Sequence, residues 1–475
     1  MLACELVPRA GFAGHVVPLA TTVPGGASVV GDGPVSRGRS ERAIIEADRY
    51  RGTNVAINVT PIAGLDPAVN AVRERTARLV NDLILPNEDA LWRLRRGEER
   101  SDDRRLAAKR RSIELRESIK AAIFEAGLWA PHLPREYGGA GLDFLSLSYM
   151  YEILAYAVGA SSLFGIAAPN SGNATILAKY GTEDQKRQWL LPLIAGEMES
   201  GFSMTEPDHA GSDPRSIRTE AVRDGDQWVI NGHKWFTSNG VNANFFIVMC
   251  RVSDSSGEYG RAGQMTQIIV PSDTAGVTIV RGIGIFGRET SDHCEILYEN
   301  VRVPIANTLG RVGQGHEAAQ DRLGAGRVYH CMNAIGQMWR AFDLMVARAR
   351  EREVHGGLLR DHQFIQGFIA DGYLDLQSAR LMTINAAQKV ADNDPDARTA
   401  ISGIKIFVPA AFHRVVDRAI QVWGGAGVSN DLPLAQMYQT ARILRLADGP
   451  DEVHRILIAK HVLRRFDAGT GWNFA

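Results

Sequence analysis

Residues 228–235 read Trp228-Val229-Ile230-Asn231-Gly232-His233-Lys234-Trp235, and here the chain changes texture. The Asn231-Gly232 pair between bulky residues predicts a tight β-hairpin turning at those two positions. Downstream, short β-prone runs at 245–250, 266–270, 277–280 and 295–298 are separated by turn residues, which predicts a small barrel or sandwich. Within it, Gly282-Ile283-Gly284-Ile285-Phe286-Gly287 matches the dinucleotide glycine pattern. A dinucleotide fingerprint needs a helix directly after it. Residues 289–298 read as a turn and a strand, so the match is taken as accidental.

Outward from this β region, both flanks read as helix. Asp66-Pro67 predicts an N-cap with Pro at the first helical position, followed by Val69, Val72, Leu79, Val80 and Leu83 at helical spacing. The segment 93–120 mixes Arg93, Arg95, Arg96, Arg104, Arg105, Lys109, Arg110 and Arg111 with Glu98, Glu99, Asp102 and Asp103. The acids break up the positive field, so it reads as a solvated helix face rather than a nucleic-acid patch. Helix continues to Gly127, and 145–157 and 174–193 are helical as well. From Gly315 onward, long helices are predicted over 316–351, 361–391 and 396–423, then shorter ones over 433–446 and 450–465. A 30-residue helix is about 45 Å long, so these must bury their apolar faces side by side. Pro409 is expected to kink the third. The fold class is α+β multidomain. The expected organisation is a disordered or extended tail over 1–60, an N-terminal α-helical domain over 61–200, a central small β-barrel or sandwich over 201–312 and a C-terminal four-helix bundle over 313–475.

The chain has 475 residues, enough for two to four folding units, with 45% apolar and 23% charged residues and a formal net charge of −1. That balance gives no overall pull towards nucleic acid or anionic membrane. No run of about 18 apolar residues appears, so no membrane span is expected. Cys4, Cys250, Cys294 and Cys331 are too scattered for a metal site or a disulfide framework. A reduced setting is expected: the cytoplasm, or the mitochondrial matrix if the source is eukaryotic.

Several motifs, in one order, resemble the acyl-CoA dehydrogenase family over about residues 65–465. Tyr137-Gly138-Gly139-Ala140-Gly141-Leu142 is similar to its substrate-side loop. Met204-Thr205-Glu206-Pro207 with Ala210-Gly211-Ser212-Asp213 resembles its flavin signature, and Lys234-Trp235-Phe236-Thr237 its next flavin strand. Arg352 with His362-Gln363, and Gln421-Val422-Trp423-Gly424-Gly425, resemble its two contacts with a neighbouring subunit's flavin. The resemblance implies FAD held by Phe202, Met204, Thr205, Ser212, Trp235 and Thr237, with Arg352, His362, Gln363, Gln421, Gly424 and Gly425 reaching a second copy. It implies at least a homodimer, either dimer or tetramer. Pro450, Asp451 and Glu452 would lie near the flavin. Ser212, Gly324, Arg327 and Gly449 would line the acyl-CoA site. Read without the resemblance, Trp235 also suits a cross-strand aromatic pair, Gly424-Gly425 a helix C-terminus, and Arg352 an ordinary solvated arginine.

The resemblance also implies a catalytic base. In the family, a carboxylate stands 27 residues after the Gln of the Gln-x-x-Gly-Gly motif; counted from Gln421 that residue is Asp448, within Asp448-Gly449-Pro450-Asp451-Glu452-Val453-His454. Most members have Glu and then Gly-Thr, so this chain resembles the subgroup with Asp-Gly-Pro, as does Ala168-Pro169-Asn170-Ser171-Gly172-Asn173. Some members take the base from the residue before the Arg that Arg327 resembles, but Gly326 stands there and cannot act as one. Asp448-Gly449-Pro450 also reads as a helix N-cap. Exclusion of water is expected to raise the Asp448 pKa.

The expected activity is α,β-desaturation of an acyl-CoA thioester, with Asp448 taking the α-proton, the flavin the β-hydrogen, and an electron-transfer flavoprotein the electrons. One alternative is a nitroalkane-oxidase-like flavoprotein using the same aspartate. A flavin-containing DNA-associated relative would need a strongly basic surface, which the charge balance does not supply.

Overall fold

A computed structural model describes residues 56–92, 102–253, 264–289 and 291–471. The expected tail over 1–60 and the charges from Arg93 to Glu99 lie wholly or largely outside these residues. Helix α1 (Pro67–Leu79) starts where expected, with Asp66 accepting from the Ala68 amide at 2.7 Å. Helices α2 (Asp102–Glu125), α3 (Phe144–Tyr156) and α4 (Asn170–Tyr180) follow. The predicted helix over 174–193 is broken. Gly181 ends α4, and Thr182 starts a new helical stretch through a reciprocal capping box with Gln185. A Gly followed by Thr-x-x-Gln is a stop and a start in one motif, invisible to apolar periodicity.

The central region is one mixed sheet of eight strands: β1 (Ser200–Ser203), β2 (Glu220–Asp224), β3 (Gln227–Thr237), β4 (Phe245–Ser253), β5 (Gln264–Pro271), β6 (Val277–Gly282), β7 (Cys294–Pro304) and β8 (Thr308–Leu309). Its order is β6-β7-β3-β2-β4-β5-β8, with β1 parallel to the first half of β4 and β2 parallel to its end. Every β-prone run expected from the sequence lies in a strand. The Asn231-Gly232 hairpin does not exist. Those residues sit inside β3, at a register shift where it pairs with β7. Gly232 is there because a Cβ would collide with the Thr219 side chain. The turn is instead the two-residue Gly225-Asp226 loop between β2 and β3, with Gly225 at φ +63°. The glycine run 282–287 leads from β6 through a turn into β7, with no helix after it.

Alternate residues of β4 enter two different cores. Phe246, Val248 and Cys250 join Trp228, Ile230, Ile296 and Tyr298 inside the sheet. Phe245, Ile247 and Met249 join Leu177, Trp189 and Leu190 from the helical side. Both faces are covered, so β4 reads as an unbroken apolar run.

Helices α5 (Gly315–Glu351), α6 (Gln363–Ala391), α7 (Ala397–Trp423), α8 (Leu434–Leu444) and α9 (Asp451–Asp467) form the C-terminal bundle. Its core continues into the N-terminal helices: Met150 and Leu154 of α3 pack with Val328, Met332 and Ile335 of α5. Gly336 permits this crossing, since a Cβ there would strike the Glu152 carbonyl. Helix α7 stays helical on both sides of Pro409. Residues 397–428 contain an 18-residue window long and apolar enough to cross a membrane, with mean hydropathy 1.2, yet half of that window is buried inside the protein. This segment is a bundle helix, not a membrane span.

Candidate active site

Helix α5 supplies Arg327 and, three residues later on the same face, His330. The turn between α8 and α9 supplies Asp448, at φ +55°, and Gly449, at φ +99°. Arg327 Nε donates to the Asp448 carbonyl at 3.0 Å. Buried Lys405 of α7 donates Nζ to the Leu444 and Ala447 carbonyls, at 2.7 and 2.8 Å, which satisfies the C-terminus of α8 and pins the turn. Below it, His454 packs so closely that a Cβ on Gly449 would come within 3.1 Å of its Nε2.

With its backbone fixed in this way, Asp448 points its carboxyl at α5. Oδ2 lies 3.1 Å from His330 Nε2, and 21% of the side chain is exposed. It caps no helix: α9 starts with Pro450 as N-cap, without a side-chain cap bond. The expected rise in pKa is not found. Burial does push the carboxyl up, but the His330 hydrogen bond and charge, with Lys405 and Arg322, outweigh it. Asp448 is therefore held well below the usual carboxylate range and is ionised. On α5 beside Arg327, Gly324 and Gly326 leave space in which a Cβ would meet nothing within 4 Å.

Arg322, one helical turn before Gly326, joins this cluster to the sheet. Its guanidinium stands 4.2 Å from the Phe202 ring centroid, and Nε donates to Asn173 Oδ1 at 3.2 Å. After Phe202, the chain is locked to β3. Thr205 Oγ1 donates to the Trp235 carbonyl at 2.8 Å, and the Trp235 amide donates to the Thr205 carbonyl at 3.0 Å. Lys234 Nζ donates to the Met204 carbonyl at 2.8 Å and to Glu206 Oε1 at 3.0 Å. Glu206 also accepts from the Arg218 and Thr219 amides at 2.7 and 2.8 Å. Burial raises its pKa, but Lys234 and these donors outweigh that and keep it ionised. Thr237 is buried, with its hydroxyl 3.0 Å from Ser203 Oγ. Ser212 is exposed, at the rim of a recess lined by Met204, Thr205, His209, Gly211 and Ile217.

The remaining anticipated residues lie elsewhere. Arg352 ends α5 and His362 caps α6, joined through a bond from the Leu359 amide to the Arg352 carbonyl at 2.7 Å. Arg352, His362, Gln363, Gln421, Gly424, Gly425 and Glu452 are all exposed. None shares a hydrogen bond or ion pair with the Asp448 cluster among the described residues. Gly424 is the C-cap of α7, at φ +63°. Pro450 is half-buried, and Asp451 turns inward to Arg445, whose Nε and Nη2 lie 2.9 and 2.8 Å from Oδ2.

Three family models match the chain in order: the acyl-CoA dehydrogenase N-terminal domain over residues 70–197, the middle domain over 201–301 and the C-terminal domain over 313–463. The chain belongs to the acyl-CoA dehydrogenase family. It is 42% identical over 354 residues to "Probable acyl-CoA dehydrogenase FadE2" of Mycobacterium tuberculosis, covering 74% of this chain and 86% of that protein. To "Acyl-CoA dehydrogenase family member 10" of Mus musculus it is 38% identical over 410 residues, 84% of this chain. It spans only 37% of that longer relative. The butyryl-CoA dehydrogenase structure from Megasphaera elsdenii superposes with a TM-score of 0.69 at 26% identity, covering 85% of this chain and all of that one.

Acyl-CoA dehydrogenases are oxidoreductases that depend on FAD, and the residues here suit such a group. Half-buried Trp235 offers an aromatic face, the Met204–Ser212 recess offers hydroxyls and main chain, and Arg352 offers a cation. At Gly424 and Gly425 a Cβ would meet nothing within 4 Å, so a phosphate could approach the backbone there.

The groups that sequence reasoning missed are His330, Arg322, Lys405 and the Lys234–Glu206 pair. Lys234 and Glu206 stand inside the quoted motifs, but nothing local says that they meet. For His330 the only signal is its spacing of three from Arg327.

Proposed function

We propose that this acyl-CoA dehydrogenase family member desaturates an acyl-CoA thioester at Cα–Cβ, with Asp448 as the base. The observation that carries the reading is Asp448 itself. It is a carboxylate released from helix capping, kept ionised by its neighbours and directed to the α5 face that carries Arg327 and the open space at Gly324. A proton acceptor must start deprotonated and within hydrogen-bond reach of the proton it takes. Arg327 and Arg322 give that space a positive border suited to a substrate bearing phosphates, and the Gly449 backbone would meet the substrate beside the base.

FAD, when bound, supplies the acceptor for the β-hydrogen and its electron pair. The Phe202–Ser212 segment, Trp235 and Thr237 would hold it in one subunit. The exposed Arg352, His362, Gln363, Gln421, Gly424 and Gly425 would reach the flavin of a second, so a dimer or tetramer is the working unit. Pro450, Asp451 and Glu452, at the start of α9, would lie near the flavin, and an electron-transfer flavoprotein would receive the electrons. The proposed compartment is a reducing one, the cytoplasm or, if the source is eukaryotic, the mitochondrial matrix, in keeping with the free, buried thiols Cys250, Cys294 and Cys331.

The test is anaerobic titration of the yellow protein with acyl-CoA thioesters of differing length and branching. Bleaching by at least one thioester is expected. Oxygen consumption with a nitroalkane, and no bleaching by any thioester, would reject the proposal in favour of a nitroalkane oxidase.

A further inference from the structure

Asp448 is one methylene shorter than the glutamate usual at its position, and it carries two oxygens of which only one can face a substrate. Its backbone is fixed by Arg327 and, through the α8 terminus, by Lys405, but neither touches the carboxyl. His330 does, at 3.1 Å from Oδ2. The ring is itself restrained: Tyr329 packs beside it at 5.3 Å between centroids and is held edge-on by Tyr151 at 4.7 Å. His330 thus projects from a rigid 37-residue helix whose core face is buried against α3.

We propose that His330 is the positioning residue of the base: it donates Nε2–H to Oδ2 of Asp448 and leaves Oδ1 free to take the substrate proton. This assignment rests on the reading of Asp448 as base and adds to it. The Oδ2 bond fixes χ1 and χ2 of a short side chain that could otherwise rotate away from the slot. The hydrogen bond and charge of His330 stabilise the carboxylate and hold its pKa down. No proton leaves the pair during orientation: the α-proton goes to Oδ1, and the Nε2–H bond persists on Oδ2.

Other groups contribute to the field at this pair. Arg322, Arg327 and Cys331 on α5 and Lys405 on α7 act on Asp448 directly, while Arg398 on α7 and Asp451 and His454 on α9 face Arg327 and Lys405.

The experiment uses His330→Ala and His330→Gln in the full-length holoenzyme, where Gln can place its amide donor close to the Nε2 position without ever being charged. In stopped-flow flavin reduction, His330→Ala should lower the limiting rate by about 10²-fold, the scale of a misplaced reacting group. The Kd for a non-oxidisable acyl-CoA thioether should change less than about threefold. His330→Gln should recover most of the rate, while the acidic limb of its pH profile moves upward because the carboxylate has lost a cationic neighbour. A wild-type limiting rate and acidic limb in His330→Ala would overturn the assignment. So would a loss confined to thioether affinity, or a Gln variant no faster than Ala. If His330→Ala does not hold flavin, the Gln variant's pH limb decides alone: unmoved, it rejects the proposal. Failure of Asp448 as base would instead show as reduction persisting in Asp448→Asn, whatever the His330 variants do.

Discussion

At Asp448 the backbone is left-handed, a conformation that Asp and Asn adopt more readily than other side chains with a Cβ. Asp448→Asn should therefore fold normally, and any loss of activity in it is chemical. His454, behind the same turn, has its pKa pushed down to about 4 by burial first, and then by Arg327 and Lys405. Unfolding returns a histidine to about 6.5. Between those values the unfolded chain binds a proton that the folded chain refuses. Its contribution to stability is thus full above about pH 6.5 and is lost as pH falls towards 4. His132, also pushed down to about 4 by burial, acts in the same direction. The Tm should fall across this window, and less steeply in His454→Asn; an unchanged slope would contradict the role given to His454. Asp448 itself was legible through a single spacing from Gln421. His330 was not, because a lone histidine on a helix has no meaning until the turn that faces it is placed.

Helices and strands were legible wherever period and length agreed. The five C-terminal helices lie within a few residues of their expected spans, because each is long and amphipathic. Errors came where one dipeptide or one boundary had to be read. Asn231-Gly232 resembled a turn, but Gly232 answers a steric demand from Thr219, and Gly225-Asp226 turns the chain instead. The break at Gly181-Thr182 depends on a capping box. Thr182→Ala should destabilise by about 1 kcal/mol, the usual worth of such a cap, measured by the denaturant midpoint at constant slope. Gly336→Ala should cost more, about 1–3 kcal/mol as overpacking at a helix crossing, since Glu152 and Ala155 on α3 would have to give way. Unchanged midpoints would show that the α3–α5 contact is looser than described.

Across the whole molecule, the N-terminal helices and the C-terminal bundle share one core, which sequence reading of separate domains could not show. The sheet docks on the N-terminal helices through the outward residues of β4. Among the described residues, α6 exposes large apolar side chains: Phe364 is 85% exposed, Leu374 62% and Leu381 63%. The exposed flavin-motif residues His362 and Gln363 lie at the start of the same helix, and Arg352 ends α5 before it. If a second copy covers α6, Leu374→Asp with Leu381→Asp should shift the protein to monomer in light scattering, and the monomer should lose most of its flavin. A monomeric variant that keeps full flavin would show that the cofactor site is complete in one chain.

Transfer of the α-proton to Asp448 is tested most directly by anaerobic single-turnover flavin reduction, comparing the wild-type protein and Asp448→Asn at equal flavin content with an acyl-CoA that bleaches the wild type. General-base removal is worth about 10²–10⁴-fold, so the variant should bind the thioester and stay yellow over the time in which the wild type bleaches. Bleaching of the variant at the wild-type rate would mean that another group takes the proton.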